Sequence, residues 1–554
     1  MPADAPRTFS LGPALAAALG LYAAIVAVVV ARSLTIGDGT LIYYLDDAYI
    51  HFAMARSLAE FGVYGVTAHA FTASSTSPAW VALLALGFLV SASSSYVPLV
   101  LAAASSVLAI VLAVRIVAAH AGPRMTLAVG IGLVLLTPLP LLTIQGMEHA
   151  LHAAGMLAAC WWLALRATRT METRATRTME NRPGLAAGLA LFALLPLLRW
   201  ESLWLVVLGA MLLAWRRRWL DVALIAGVAA FAVCAYGFWS MAHGWPFLPA
   251  SVLTKTMLVA PLDYWNIRHV VGVLFYHPAV KFTFLGHGVG LAALMLVVAA
   301  AILWRLRSGR TLWQMQALFG VLFVVGGWLH AVGGSFGWGY RYEAYMFALG
   351  IVAVALNAPE LADLWRAARG KSATLAGACV MLLVVAAAPV AWRSFLALQS
   401  IDRNLQLVLD RDYYPARLVA QNFPGEGVVG SNLGVLAWLH RGEIVDLFAL
   451  GTREIVQFTM AGGKRSPQMI DRWAEAHNAR IAIIFEADYI YLAGGPPHWI
   501  PVARITATPT IALDFGLYAR DQEAALRLAQ AVKATSIPRR STVTVRLLPP
   551  YDRP

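Results

Sequence analysis

Residues 45–62 read LDDAYIHFAMARSLAEFG and follow an apolar run, 11–32, that is long enough to cross a membrane. After the adjacent acids Asp46 and Asp47, apolar side chains recur at the spacing that places them on one face of a helix. These side chains are Ile50, Met54, Leu58 and Phe61. The pattern predicts an amphipathic helix at the outer surface of a membrane, with its apolar face held against the bilayer.

Two adjacent carboxylates in the first turn of this helix are more than a helix cap requires. A single aspartate there is usually an N-cap that complements the helix dipole. Asp46 and Asp47 side by side repel each other unless a proton, a cation or a cationic substrate site compensates, so we predict that at least one of them is functional. Arg56 and Glu60 are spaced to pair at i and i+4 on the same helix.

The composition places this helix in an integral membrane protein. Of the 554 residues, 60% are hydrophobic and only 13% are charged, which is not the composition of a soluble protein. Candidate membrane spans lie at 11–32, 97–118, 125–142, 149–165, 185–198, 202–215, 219–242, 288–304, 313–332, 342–357 and 373–392. We therefore predict about 11 transmembrane helices, with 79–90 either a short crossing of its own or part of a bent one.

Basic residues predict how the chain is oriented, because in short loops near helix ends they favour the cytoplasmic side. They cluster in alternate loops. The clusters are Arg115 with Arg124, the run 166–182, Arg216–Arg218, Arg305/Arg307/Arg310 and Arg366/Arg369/Lys371. The external segments are then 33–78, 143–148, 199–201, 243–282, 333–341 and everything after 393. This topology explains most of the net charge of +13 and leaves little reason to expect a nucleic-acid partner.

The pattern changes near residue 396. Short apolar runs such as VVGS, EIVDL, RIAIIF and TVTVRLL alternate with helix-like segments such as YPARLVAQNF and SPQMIDRWAEAHNA. The chain is thus predicted to contain a transmembrane domain, 1–395, and a soluble, external α/β domain, 396–554.

Charged and aromatic residues collect in the other external loops. GMEHALH carries Glu148 and His149, LLRWES carries Arg199 and Glu201, FLPASVLTKT carries Lys255, and GGSFGWGYRYE carries Arg341, Tyr342 and Glu343. Such groups are costly near membrane depth and are expected to line a cavity or a substrate path. The alternatives are that Arg199 and Glu201 pair only with each other, and that Lys255 and Arg341 reach lipid headgroups.

Several other kinds of site are not indicated. His149 and His152 are candidate metal ligands, but EHALH is not the HExxH arrangement, and we assign no metal site. AGGKRS lacks the spacing of a phosphate-binding loop, and GHGVG in an apolar region is a poor match for a dinucleotide loop. Acids, cations and aromatic residues on the outer face of a multispanning protein instead suit a substrate carried in the lipid, with a phosphate headgroup.

These segments, taken in order, resemble a family. LDDAYIHFAMARSLAEFGVYG followed by TASSTSPAW is similar to the first external loop of GT-C glycosyltransferases, in particular the bacterial branch that includes the mycobacterial terminal arabinofuranosyltransferase. GMEHALH, LLRWES, FLPASVLTKT, GGSFGWGYRYE and VVGSNLGVLAWLHRGEIVDLFALGTRE resemble later motifs of that branch. The chain departs from the pattern at Trp200, where proline is usual, and at Ser335 and Asn432, where acids are usual.

The resemblance implies a GT-C fold and an inverting glycosyltransferase in the bacterial inner (cytoplasmic) membrane, with its active site facing the periplasm or exterior. The enzyme would move a sugar, arabinofuranose or another pentose or hexose, from a polyprenyl-phosphate donor to a hydroxyl of a cell-envelope glycan or glycolipid. A divalent cation that bridges an acid and the phosphate is compatible with this chemistry, and no other cofactor is implied.

The resemblance also suggests roles for the site residues. An acceptor alcohol needs a base as it attacks, and Asp46 or Asp47 would supply it. We favour Asp46, because as the expected N-cap it lies in the loop and is freer to face the acceptor, while His51 is placed to orient a carboxylate. Lys255, Arg199 or Arg341 would stabilise the leaving phosphate. His51, Glu148, His149, Glu201 and Tyr342 complete the predicted substrate-binding set.

Two other functions fit part of the sequence. A transporter or flippase would also carry charges at membrane depth, but it should show inverted internal repeats and broken helices near the midplane, and no such symmetry is seen. An envelope binding protein that uses the external domain as a receptor would leave Asp46 and Asp47 unexplained.

Overall fold

The computed structural model describes residues 11–168, 182–253, 271–276, 280–281, 288–463, 466–485, 498–507 and 513–552. It confirms the predicted fold class: helices, mostly apolar, form the first part of the chain, and a mixed six-stranded sheet lies towards its C-terminal end. Lys255 and most of the basic run 166–182 lie outside the described residues.

The helical part comes first in the chain. Its first eight helices are α1 (Gly12–Ile36), α2 (Asp46–Phe61), α3 (Pro78–Ser91), α4 (Val97–Ala118), α5 (Pro123–Leu136), α6 (Leu139–Gln145), α7 (His149–Thr168) and α8 (Arg182–Leu198). The next eight are α9 (Leu203–Trp215), α10 (Trp219–Ala242), α11 (Ala250–Leu253), α12 (Val289–Arg307), α13 (Met315–Gly333), α14 (Ala344–Leu356), α15 (Ala358–Lys371) and α16 (Ala373–Val408).

Six helices of the described residues are long and apolar enough to cross a membrane: α1, α4, α7, α10, α12 and α13. Two bent pairs each pass the same test as one broken span, α5 with α6 at 43° and α14 with α15 at 57°. Proline stands at each break, as Pro138 and Pro359, where its ring and missing N–H prevent the helix from continuing. The chain is therefore a multi-pass membrane protein.

Each span found in the described residues matches a predicted one. Of the 11 predicted spans, eight pass the test of length and composition when each bent pair counts as one. Helices α3, α8 and α9 are apolar but shorter than a full crossing. The last predicted span, 373–392, is part of α16, which continues through residue 396, the predicted domain boundary, to Val408.

The connections between helices meet at two ends of the bundle, in the groups that the basic clusters predicted. At one end Arg166 pairs with Asp221 at 2.5 Å, and Arg216 lies over the ring of Trp313. At the other end, here called the site end, segments 33–78, 143–148, 199–201 and 333–341 meet under the C-terminal sheet. Which end faces the exterior remains a prediction.

Helix α2 lies inside the protein and not on the bilayer surface, which corrects the sequence prediction. Ten consecutive residues, 48–57, are buried, and Met54 is 0% exposed. The helix packs between α3 and a helix of the C-terminal region. Arg56 donates to the carbonyls of Ala437 and Trp438, and Glu60 pairs with Arg441 at 2.7 Å, so the predicted pair between Arg56 and Glu60 is replaced by contacts to that region.

The C-terminal region combines six strands with five helices. The strands are β1 (Gly427–Gly430), β2 (Ile444–Asp446), β3 (Ala479–Phe485), β4 (Ile500–Ala507), β5 (Leu513–Ala519) and β6 (Val543–Leu547). The helices are α17 (Tyr414–Asn422), α18 (Gly434–Leu439), α19 (Arg453–Met460), α20 (Pro467–Ala476) and α21 (Gln522–Ala534). Each apolar run quoted from the sequence is one of these strands, and each helix-like segment is one of these helices.

The sheet has the order β2-β1-β3-β5-β4-β6. Strands β2, β1 and β3 are parallel, and the remaining neighbours pair antiparallel. The register aligns Val429 with Val445 and Ala482, and Leu517 with Ile483 and Ala503. The parallel half is an apolar layer with helices around it. The helix that follows β1, α18, contacts Asp46 of α2.

Candidate active site

A cavity of about 380 Å³ opens at the site end, between α2, the start of α9, the end of α13 and the segment that follows it. It is large enough for a small-molecule substrate. Six residues of the predicted site line it: Asp47, His51, Arg199, Glu201, Arg341 and Tyr342. Glu148 and His149 are buried next to these residues, in contact with Arg199 and with the ring of Tyr342 respectively.

Asp47 and Arg341 form an ion pair at the cavity wall. Arg341 is only 2% exposed, and its guanidinium also donates to the Tyr342 hydroxyl at 3.1 Å and lies 4.9 Å from the centre of the Tyr342 ring. The Asp47 carboxylate is more exposed, at 26%. A carboxylate and a guanidinium that share one wall of a cavity can accept a proton and bind an anion, respectively.

Arg199 is held by two carboxylates. It bonds Glu148 at 3.1 Å, and it makes two hydrogen bonds to Glu201, one of them at 3.1 Å. The alternative that Arg199 and Glu201 pair only with each other is therefore wrong. The Arg199 guanidinium also lies 5.3 Å from the centre of the Tyr342 ring, so Tyr342 contacts both cavity arginines.

His51 completes the wall beside Glu148. Its Nδ1 bonds the Ser75 hydroxyl at 3.0 Å, and its Nε2 is 4.0 Å from Glu148. Burial lowers the pKa of His51, which keeps the imidazole neutral near pH 7. The carboxylate that His51 faces most directly is therefore Glu148, while the neighbouring Asp47 pairs with Arg341.

Asp46 points away from this cavity. Its carboxylate accepts hydrogen bonds from the backbone N–H groups of Gly434, at 3.0 Å, and Val435, at 2.8 Å, which are the first residues of α18. Asp46 is also the first residue of α2 and not its N-cap, a position that Leu45 occupies. The expectation that Asp46 is the freer of the two acids is thus corrected: it is bound to the C-terminal region, and Asp47 faces the cavity.

The backbone segment that carries Arg341 is held in place by a residue of α16. Arg393 of α16 pairs with Glu343 at 2.7 Å, and Glu343 also accepts from the N–H of Gly337 at 3.0 Å. Gly339 has a φ of +76°, and a Cβ there would lie 2.9 Å from the amide nitrogen of Gln145, so only glycine fits. These contacts fix where the Arg341 guanidinium enters the cavity.

Comparison with known proteins identifies the fold. The sequence matches no protein-family model and no curated protein. The apo crystal structure of ArnT from Cupriavidus metallidurans is similar over 91% of this chain and 98% of ArnT, with a TM-score of 0.50 and 15% sequence identity. The chain has the GT-C fold.

The oligosaccharyltransferase of Archaeoglobus fulgidus is less similar. Its apo crystal structure gives a TM-score of 0.45 at 12% identity over 90% of this chain and 74% of that one. The same protein tethered to an acceptor peptide that contains the NVT sequon gives 0.46 at 12% identity over 96% and 75%. At 15% identity the similarity to ArnT shows the fold alone, and the activity is argued from the site.

The cavity also has lining residues outside the site predicted from the sequence. They include Ser74, Thr76, Trp204, Ser251 and His330. Ser74 and Thr76 belong to the quoted TASSTSPAW segment, and His330 is an ionisable residue within an apolar span, which is itself a signal of function. Lys255, the third predicted cation, lies outside the described residues.

A metal site is not assigned in this GT-C fold. Within the described ranges, no three His, Cys, Asp or Glu side chains are grouped as ligands for one ion. His149 and His152, the ligand pair considered from sequence, have separate surroundings: His149 lies 3.8 Å from Glu148, and His152 bonds Ser202 at 2.8 Å.

Proposed function

We propose that this protein is an inverting glycosyltransferase that moves a sugar from a polyprenyl-phosphate donor to a hydroxyl of a cell-envelope glycan or glycolipid. The observation that carries the proposal is the contact between Asp47 and Arg341 at the wall of one cavity at the site end. The sugar is arabinofuranose or another pentose or hexose. The similarity to ArnT supports the fold that such a transfer uses.

The reaction exchanges one bond for another at the anomeric carbon. The acceptor oxygen forms a bond to that carbon from the face opposite the phosphate, and the bond between the carbon and the phosphate oxygen breaks. Asp47 accepts the proton of the acceptor hydroxyl as attack proceeds. The polyprenyl phosphate leaves with the bonding electron pair, and the configuration at the carbon inverts.

Arg341 and Arg199 stabilise the leaving phosphate. Negative charge grows on the phosphate in the transition state, and preorganised guanidinium groups in a cavity shielded from water are effective donors to it. A phosphate at Arg341 would also compete with Asp47 for the guanidinium, which would make the Asp47 carboxylate a better proton acceptor. Arg199, held between Glu148 and Glu201, contributes a fixed positive charge. Lys255 remains a proposed phosphate contact.

The two aspartates have different roles in this proposal. Asp47 is the base because it lines the cavity, and Asp46 holds α2 against α18. The cavity and the C-terminal region, proposed as a separate domain after residue 395, face the periplasm of a bacterial inner membrane. The donor would reach the cavity from the lipid, and the acceptor from the aqueous side.

The test is transfer by the purified protein from a panel of radiolabelled polyprenyl-phosphate sugars to an envelope glycan extract. We expect one donor of the panel to be turned over. With that donor, Asp47→Asn should lower kcat about 10²- to 10⁴-fold, because asparagine keeps the shape of the side chain and cannot accept the proton. Asp46→Asn is the matched control and should keep kcat within about threefold, because Asp46 contacts α18 and does not line the cavity.

Three results would contradict the proposal. Absence of transfer from every donor would argue against a glycosyltransferase. Full activity of Asp47→Asn would show that Asp47 is not the general base. A large loss of kcat in Asp46→Asn alone would show that Asp46 is the base.

A further inference from the structure

His330 is a buried, ionisable lining residue that the proposed reaction leaves without a role. It lies in the last turn of α13, is 1% exposed, and lines the cavity. Its Nδ1 is 3.0 Å from the Tyr345 hydroxyl. Its Nε2 has no hydrogen-bond partner among the described residues. A buried polar atom of this kind is costly unless a ligand or an ordered water satisfies it.

The tautomer of His330 follows from the groups behind it. The Trp204 indole N–H donates to the Tyr345 oxygen at 3.0 Å, and an indole nitrogen can only donate. The Tyr345 hydroxyl hydrogen is then directed to its other neighbour, His330 Nδ1. With Nδ1 accepting, a neutral imidazole carries its hydrogen on Nε2. His330 therefore presents an N–H donor on its remaining edge.

The three side chains are held in place by packing. A Cβ at Gly326 would lie 2.3 Å from the Trp204 ring, so the indole fits against α13 only because residue 326 is glycine. Tyr345 is 1% exposed and lies with its ring centre 4.5 Å from that of His152. The chain from Trp204 through Tyr345 to His330 is thus a fixed series of hydrogen bonds that ends at a residue of the cavity wall.

We propose that His330 Nε2–H donates a hydrogen bond to a hydroxyl of the donor sugar and thereby selects the sugar. The inference rests on the proposed glycosyltransferase function. A neutral N–H donor matches a neutral hydroxyl, whereas the phosphate has two charged guanidinium groups, Arg199 and Arg341, in the same cavity. A site built around a substrate hydroxyl discriminates against analogues that lack it, because the buried donor is then left unpaired.

Binding measurements on the purified protein in detergent micelles test this without requiring transfer. The probes are decaprenyl phosphate alone and decaprenyl phosphate carrying arabinofuranose, mannose or glucose. His330→Asn places an amide where Nδ1 was and keeps a contact for Tyr345, but it is too short to replace Nε2. His330→Gln reaches the position of Nε2 and restores a donor there.

We expect wild type to bind one sugar-bearing lipid more tightly than decaprenyl phosphate. His330→Asn should weaken binding of that lipid about 10-fold, the loss of one buried hydrogen bond, and His330→Gln should recover most of it. Binding of decaprenyl phosphate should stay unchanged in both variants, which also shows that they fold.

Each other outcome rejects the inference. If His330→Asn binds the sugar-bearing lipid as wild type does, His330 does not contact the sugar. If it loses decaprenyl phosphate equally, His330 serves the phosphate or the packing of α13. If wild type transfers a sugar and both variants bind the sugar-bearing lipid as tightly as wild type, only this inference fails. If wild type binds none of the sugar-bearing lipids, the proposed function is rejected as well.

Discussion

At the scale of single residues, Asp46 and Asp47 have different contacts because they are adjacent on a helix. Successive side chains point about 100° apart around a helix axis, so neighbours face different surroundings. Asp46 bonds the N-terminal backbone of α18, where the helix dipole favours a carboxylate. Asp47 meets Arg341 at the cavity. One pair of acids thus joins the C-terminal region to the site.

The Asp46 contact should depend on pH. Burial and the nearby Asp412 carboxylate raise the pKa of Asp46 from 3.8 to about 7, outweighing Arg411 and the two N–H donors. The folded state then holds this proton more tightly than the unfolded state, so the stabilisation is complete below pH 4 and declines as pH rises to about 7. We expect the thermal midpoint of wild type to fall between pH 5 and pH 8 by more than that of Asp46→Asn.

Comparing the two proteins isolates this group, because all other titrating groups are shared. Equal pH dependence in wild type and Asp46→Asn would show that Asp46 does not titrate in this range. Gly434→Ala is a second control for docking: a Cβ there would lie 2.0 Å from the Asp46 carbonyl oxygen, so this variant should loosen the contact at every pH.

At the scale of elements, the segment between α13 and α14 decides where Arg341 lies. Trp338 and Tyr340 both have positive φ, 43° and 59°, which non-glycine residues seldom adopt. The ion pair of Glu343 with Arg393, both almost fully buried, holds this strained segment against α16. Arg341, the proposed phosphate contact, is therefore positioned by a residue of α16.

Replacing only Arg393 should destabilise the protein more than replacing both Arg393 and Glu343. Arg393→Met leaves Glu343 buried and unpaired, and we expect a loss of about 3–5 kcal/mol in stability, with weaker donor binding as the segment around Arg341 moves. Adding Glu343→Gln removes the unpaired charge and should restore much of the stability. The measurement is denaturant unfolding in detergent, and an additive double variant would show that the two residues are not coupled.

At the scale of the whole molecule, the two ends of the bundle have different chemistry. The site end holds the cavity and the C-terminal sheet. The opposite end holds basic residues paired with acids, such as Arg305 with Glu360. Basic residues near helix ends favour the cytoplasm, so the site end is predicted to face the exterior.

Cysteine labelling tests this orientation in a background without the three native cysteines. Ala70→Cys and Gln421→Cys are exposed at the site end, and Ser308→Cys is exposed at the opposite end as the matched control. An impermeant thiol reagent should label the first two in intact cells and the third only after lysis. The reverse pattern would invert the topology.

Much of the architecture depends on residues that are close together in the chain, and for that reason sequence patterns predicted it. Each membrane span requires a continuous apolar run, and each break between α5 and α6 or α14 and α15 has a proline. Strands β1, β2, β3 and β6 and helices α17 and α20 follow short apolar runs or helical periodicity. A functional role for Asp46 or Asp47 stays a prediction, made from two adjacent carboxylates that repel each other. Strands β4 and β5 were not singled out, since Pro501 and Gly516 weaken their local pattern.

The partners of these residues were decided by tertiary structure, because they come from distant parts of the chain. Periodicity showed an apolar face on α2 but not what covers it; the C-terminal region does, so Met54 is buried in protein and not in lipid. Asp46 and Asp47 have the same local sequence, and their contacts to Gly434 and Arg341, 388 and 294 residues away, distinguish their surroundings. A hydrophobic pattern specifies that a side chain must leave water; packing across the whole chain specifies what it meets.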